Sequence, residues 1–447
     1  MQRGIEKVGE QQIPRIDVLY NLMTGDEDAR VCKDIPPESC DDQPRNFFAY
    51  LGANTLNKVA DELASAKLVL PWMLGVLGAP AAFTGFLVPI RESGVLLPQM
   101  AVAAIVRRLP LRRPVWLLGG VLSALSLFGA ALAALTLDGI AAGWAVVAAL
   151  LVFSLARGLC SVSAKDVLGK TVSKSRRGRL MGWSAAMGGV LTLVVGGGLT
   201  QVPQADTGRE VFAFLLVSAG VLWLAAVAMF ATIRERPGAT SGGGNALQVA
   251  MDNLRLLRDD RPFRRFVFGR ISLLAVALSP PFYVLLAQQQ VQGDLAGLGL
   301  LLIGSGLATA LSSPLWGALG DRSSRSVMAL GAAGAGILGI AVSAAAFAGQ
   351  PWMASPWVHA GIYTVLTVMH SGVRLGRKVY LVDMATEQTR AAYVAVSNTA
   401  IGVMMLVGGL VGALGDRIGV TAVIGLLGLW SLLAAWEALR LPEVSEP

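Results

Sequence analysis

Residues 295–320 run for 26 positions without a charged side chain. The stretches 115–137, 180–205, 211–233, 271–293 and 391–415 do the same, each over at least 23 residues. About 20 apolar residues of helix cross the hydrocarbon of a bilayer. Inside lipid the backbone must satisfy its own hydrogen bonds, so runs of this length predict helices. Barrel strands would alternate polar and apolar residues over about 10 positions, and no such alternation is present. Composition agrees: 54% of the 447 residues are hydrophobic and 15% charged, against roughly 25% charged in soluble domains. The chain reads as an all-α integral membrane protein.

The runs and their flanks predict twelve transmembrane helices in two six-helix bundles. Spans are expected at 68–89, 92–107, 114–136, 140–165, 179–201 and 210–233, then at 264–290, 295–318, 326–348, 356–382, 391–413 and 418–440. This divides the chain into an N-terminal extension (1–65), a first bundle (66–233), a linker (234–262), a second bundle (263–440) and a tail (441–447). Basic residues, among them Arg107, Arg112, Lys170, Arg177, Arg234, Arg322 and Arg390, collect in one set of loops, while the opposite set has Arg91, Arg209 and Arg417. Basic loops stay in the cytoplasm. Both termini are therefore expected there. The net charge of +8 is explained by these loops, so no nucleic-acid partner is expected. Cys32 and Cys40 then fall in a compartment where disulfides are rare, and free thiols are expected.

The halves echo one another. Arg157 lies nine residues before Asp166, and Arg374 nine before Asp383, with Arg177 and Arg390 at the start of each following span. The loop after the eighth span reads Gly317-Ala318-Leu319-Gly320-Asp321-Arg322-Ser323-Ser324-Arg325. It resembles the G-x-x-x-D-R-x-G-R loop signature of the major facilitator superfamily, with Ser324 in place of the usual Gly. The resemblance spans about 66–440. It implies the major facilitator fold and alternating access about a central site. Residues 163–171 and 372–378 also resemble a subgroup of bacterial permeases, without indicating a substrate. The matching loop of the first half keeps its arginines and lacks the Asp, so any latch there must differ. The string Gly-Ala-Leu-Gly-Asp-Arg recurs at 412–417 on the opposite side, where it reads as a coincidence.

Ionisable residues within spans are costly and mark functional hypotheses. Arg157 is the foremost candidate, with Ser161 and Lys165 on the same helical face. His370 and Arg374 make a similar face in the tenth span, and His370 can titrate near neutral pH. Arg91 and Glu92 are expected at the outer mouth, and no carboxylate at mid-span. The cationic bias points to an anionic or polar metabolite. A cytoplasmic gate is expected from Gly317, Asp321, Arg322 and Arg325, with Asp166, Arg177, Asp383 and Arg390, where Asp166 and Asp383 can also pair locally with Lys165 and Lys378. A carboxylate such as Asp321 can accept charge-assisted hydrogen bonds that latch two helix ends. Pro80 in the first span and Pro280-Pro281 in the seventh are expected to interrupt matching helices, a pointer to a binding site.

No phosphate-binding loop, metal cluster or nucleophile–base pair is visible, so no cofactor, metal or catalysis is expected. The reading is a secondary transporter of a small solute, monomeric, driven by a gradient of a coupling ion such as H+. The rival is a non-transporting assembly or interaction protein on the same fold, docking through the extension.

Overall fold

The protein is described by a computed structural model covering residues 15–24, 35, 37–202, 208–238, 240, 255–291, 295–320, 322–386 and 389–444. Nine helices among these are long and apolar enough to cross a membrane. They supply the third to sixth crossings (Arg113–Thr136, Gly139–Thr171, Lys174–Leu199, Arg209–Ala231) and the seventh to ninth (Arg261–Gln290, Leu295–Gly320, Ser324–Phe347). The eleventh (Arg390–Gly408 with Val411–Ile418) and twelfth (Val420–Leu439) complete the set. Three crossings are more polar or more broken. The first is Gln43–Leu63 with Val69–Val76, the second Ala81–Leu96 with Gln99–Arg107, and the tenth Pro356–Met384. Leu118, Leu125 and Leu132 of the third crossing are each more than half exposed along one stripe, the surface that a bilayer covers.

The duplication is written into the packing. In the first half the third crossing packs on the sixth and fourth, the second on the fourth, and the first on the sixth and fifth. In the second half the ninth packs on the twelfth and tenth, the eighth on the tenth, and the seventh on the twelfth and eleventh. Between halves, the second crossing meets the eleventh and the fifth meets the eighth. Loops 108–112 and 172–173 and residues 385–386 share one end of the bundle with residues 232–238; it is called the basic end below.

The first crossing departs from the sequence expectation. Residues 43–63, assigned to the extension, form a helix whose Phe47, Ala53 and Ala60 are wholly buried. Its start is tied at the basic end. Gln43 accepts a 2.9 Å hydrogen bond from the Ser173 N–H, and Asn46 accepts one of 2.8 Å from the Arg234 N–H. At the opposite end the Leu77 carbonyl accepts from the Gly139 N–H at 2.8 Å. The charges that seemed to bar this helix from a membrane are met by arginines of neighbouring crossings, described below. A helix at Arg15–Thr24 precedes it, with Tyr20 edge-on to Phe47 at 5.3 Å.

Two further expectations change. Pro80 lies between crossings, just before the helix Ala81–Leu96. The interruption of the first crossing is instead the turn at 64–68, while Pro280 opens the last helix of the seventh. Cys40 is disulfide-bonded rather than free, with its partner outside the described residues. Residues 241–254 of the expected linker also lie outside them.

The halves touch backbone to backbone away from the basic end. A side chain at Gly85 would meet Gly412 Cα at 2.4 Å, and one at Gly299 would meet the Gly196 carbonyl at 2.6 Å. Gly85 and Gly299 are each the fifth residue of their helices, so the two contacts are copies of one another. Only glycine permits such approach.

Candidate functional site

A cavity of about 570 Å³ lies between the halves, from mid-membrane towards the basic end. The tenth crossing presents His370, Arg374, Arg377 and Lys378 to it along one face. Lys67 comes from the turn in the first crossing, Glu92 from the middle of the second, Ser161 and Lys165 from the fourth, and Arg270 from the seventh. Six basic side chains thus surround one carboxylate. Arg270 is 8% exposed and donates to Ser397 Oγ and, at 3.1 Å, to Asn398 Oδ1. Among the described residues, Lys67, Arg374, Arg377 and Lys378 make no ion pair with a carboxylate. The cavity continues into a polar pouch of about 120 Å³, bounded by Glu62, Lys67, Tyr363, Thr367, His370 and Arg374.

Arg157 faces elsewhere. Its guanidinium donates to Asp61 Oδ2 at 2.7 Å and sits 4.9 Å over the Trp223 ring. Arg91 reaches the same carboxylate at 3.4 Å and lies 5.2 Å from the centre of Phe153. The cluster is inside the first bundle. A side pocket of about 200 Å³ joins Arg157 to Ser161 and Lys165, which also line the central cavity. Arg91 and Glu92 are adjacent in sequence and so point to different faces of one helix. Both lie mid-crossing, not at an outer mouth. Asp61, Glu62 and Glu92 together overturn the expectation of no carboxylate at mid-span. The sequence signal was there in Asn54, Asn57 and Asp61, polar residues at helical spacing, but the partners of Asp61 lie 30 and 96 residues away and Ser184, which Asn54 meets, lies 130 away.

The expected gate residues fall apart and regroup. Asp321 lies outside the described residues; Gly317 is half-buried in the eighth crossing, and Arg322 is exposed. Arg325 bonds the Leu441 carbonyl at 2.9 Å and pairs with Glu443 at 3.0 Å. In the first half, Arg113 bonds the Ile233 carbonyl at 2.6 Å, and Glu235 accepts the Arg113 N–H at 2.7 Å and Lys170 at 2.9 Å. Ile233 and Glu235 lie two and four residues past the sixth crossing, as Leu441 and Glu443 lie past the twelfth. Glu235 is thus the first-half counterpart of Glu443. Asp166 pairs with Arg112 at 3.3 Å and not with Arg177, which donates to the Gly169 and Val172 carbonyls. Asp383 and Arg390 are exposed and make no ion pair with each other. At the opposite end, Asp416 of the recurring 412–417 string accepts the N–H groups of Ala81 and Ala82 at 2.7 and 3.0 Å. That contact crosses between halves.

Comparison with known proteins follows the same lines. Residues 269–447 match the family model of the Major Facilitator Superfamily. No curated protein matches the chain in sequence. Among solved structures, a D-xylose-proton symporter superposes with a TM-score of 0.69 at 15% identity, over 90% of this chain and 99% of the other. The nucleoside transporter NupG gives 0.67 at 15% identity, over 88% and 99%. A POT family transporter in complex with 5-aminolevulinic acid gives 0.67 at 11% identity, over 89% and 96%. Residues 269–447 thus match the Major Facilitator Superfamily in sequence, and the chain shares the fold of these solved transporters over about nine-tenths of its length.

Proposed function

We propose that the protein is a secondary transporter of an anionic solute, working by alternating access in a bacterial inner membrane with its basic end in the cytoplasm. The observation that carries this is the central cavity, where six basic side chains face one carboxylate. Net positive charge at mid-membrane is costly unless a ligand compensates it. The glycine contacts away from the basic end support an inward-facing arrangement. The rival reading loses most of its footing, because residues 43–63 belong to the first crossing and not to a free extension.

A proton is the coupling ion in this reading, as in the proton symporter of the same fold. Of the three mid-membrane carboxylates, Asp61 is held by Arg157 and Arg91, and Glu92 stands among cations. Glu62 borders the polar pouch and makes no ion pair among the described residues. It is the group placed to exchange a proton with the pouch.

The test is flux in proteoliposomes under an imposed pH gradient, with organic anions, sugars and organic cations offered separately. Anion uptake that saturates, and that Arg374→Gln abolishes, is the expected result. Uptake restricted to neutral or cationic solutes would discard the anionic reading, and no uptake of any class would discard transport.

A further inference from the structure

The walls of the central cavity differ in chemistry. The tenth crossing, with Lys67 and Arg270, makes a cationic wall. The second and eleventh crossings make an apolar one, from Val88, Leu96, Ile401 and Met405. These two helices are also one of the pairs that join the halves, through the Ser93 hydroxyl on the Gly402 carbonyl at 2.8 Å. In this conformer the apolar wall is therefore a closed seam. A ligand with charge alone would leave that seam unfilled, and one without charge would leave the cations uncompensated.

Charge count goes further than sign. Even with Glu62 of the pouch added to Glu92, the basic side chains exceed the carboxylates by four. Among the described residues, the side-chain partners of Arg270 are the neutral Ser397 and Asn398, and Arg377 Nε is buried without a hydrogen-bond partner. His370, Arg374 and Arg377 are spaced by four and then three residues on one helix, so they stack over about 10 Å of rise. A single negative charge would meet one step of this ladder. A cavity of about 570 Å³ also exceeds an inorganic anion and falls in the range that encloses a medium-sized organic molecule.

Resting on the transporter reading above, we propose that the substrate is an amphipathic organic anion carrying at least two negative charges. Its charged groups lie along Lys67, Arg374 and Arg377, and its apolar body lies against the seam of Leu96 and Ile401. The chemistry fits an aryl or alkyl phosphate, or a dicarboxylate with an apolar body.

Binding to purified full-length protein in detergent tests this without requiring transport. Four probes separate the features: 1-naphthyl phosphate, 1-naphthoate, 1-naphthol and inorganic phosphate. The expected order at pH 8 places naphthyl phosphate about tenfold or more tighter than naphthoate, the factor associated with one further charged hydrogen bond. Inorganic phosphate and naphthol bind weaker still. Arg374→Gln lowers naphthyl phosphate affinity about tenfold and Arg374→Lys retains most of it, with the unliganded Tm of both variants reporting intact folding. Equal affinity for naphthyl phosphate and naphthol, or for naphthyl phosphate and inorganic phosphate, overturns the proposal, as does absence of naphthyl phosphate binding at millimolar concentration. Binding as expected without flux in liposomes would defeat the transporter reading and leave the ligand class standing. Flux of a cation would do the reverse.

Discussion

The Asp416 carboxylate of the second half accepts a 2.7 Å hydrogen bond from the backbone N–H of Ala81, the first residue of a helix in the other half. Ala82 donates to its second oxygen at 3.0 Å. A carboxylate at a helix N-terminus satisfies orphan donors and favours the positive end of the helix dipole. Here the cap also holds the end opposite the basic loops shut. Asp416→Asn keeps the shape and removes the charge. At this exposed position the loss is about 1 kcal/mol, roughly a fivefold shift towards conformers open at that end. Spin labels at Thr136 and Gln350, exposed at that end on opposite halves, should show a larger long-distance population. An unchanged distance distribution would remove Asp416 from the gate.

Gly299 gives a second test of the same closure. Its Cα lies so close to the fifth crossing that an added Cβ meets Gly196 and Thr200 backbone atoms at 2.6 and 2.9 Å. Backbone cannot yield as a side chain can. Gly299→Val should therefore prop the halves apart, lengthening the Thr136–Gln350 distance more than Asp416→Asn does. Wild-type distances in that variant would show that the glycine contact is not what closes the end.

Asp61 anchors two arginines. Its removal leaves Arg157 and Arg91 partly buried and uncompensated, and breaking one side of a buried pair costs about 3 kcal/mol. Asp61→Asn should lower the thermal unfolding midpoint in detergent. Adding Arg157→Gln should recover part of the loss, since the stranded charge goes too. A double variant no more stable than the single one would show that the ion pair is not the source of the effect.

Glu62 separates coupling from passage. Glu62→Gln should abolish accumulation driven by a pH gradient while sparing downhill exchange of the same anion. The two assays use the same liposomes, so a folding defect would lower both. Accumulation at the wild-type level would assign the proton to another group.

Where the chain carries long charge-free runs, its helices were legible to within a few residues: 114–136 was expected against Arg113–Thr136, and 210–233 against Arg209–Ala231. The first crossing was not, because charge was taken as a sign of water. Asp61 belongs in the membrane on account of Arg91 and Arg157, and no local pattern announces a partner 96 residues away. The cavity was half legible. His370 and Arg374 stood out within an apolar helix, and Ser161 and Lys165 by their spacing. Arg270 escaped notice at the edge of a charge-free run, and Lys67 at the edge of a supposed extension. Arg157 was the most conspicuous residue in the sequence, yet it serves the interior of one bundle. Conspicuous charge signals a buried partner as readily as a ligand.

The paired ties at Arg113 and Arg325 have a mechanical meaning. Each fastens the start of a bundle's third helix to the stretch of chain leaving its sixth, so that under the alternating access proposed above each bundle would resist shear and rock as a stiff lever. The two fastenings are built differently: Glu235 is held by Lys170 and by the backbone N–H groups of Arg112 and Arg113, whereas Glu443 is held by the Ser323 hydroxyl, Arg325 and the Val444 N–H near the end of the chain described. Fusions or cuts near Glu443 would slacken one lever and leave its twin taut, and the rocking motion would lose its symmetry before the fold lost its stability.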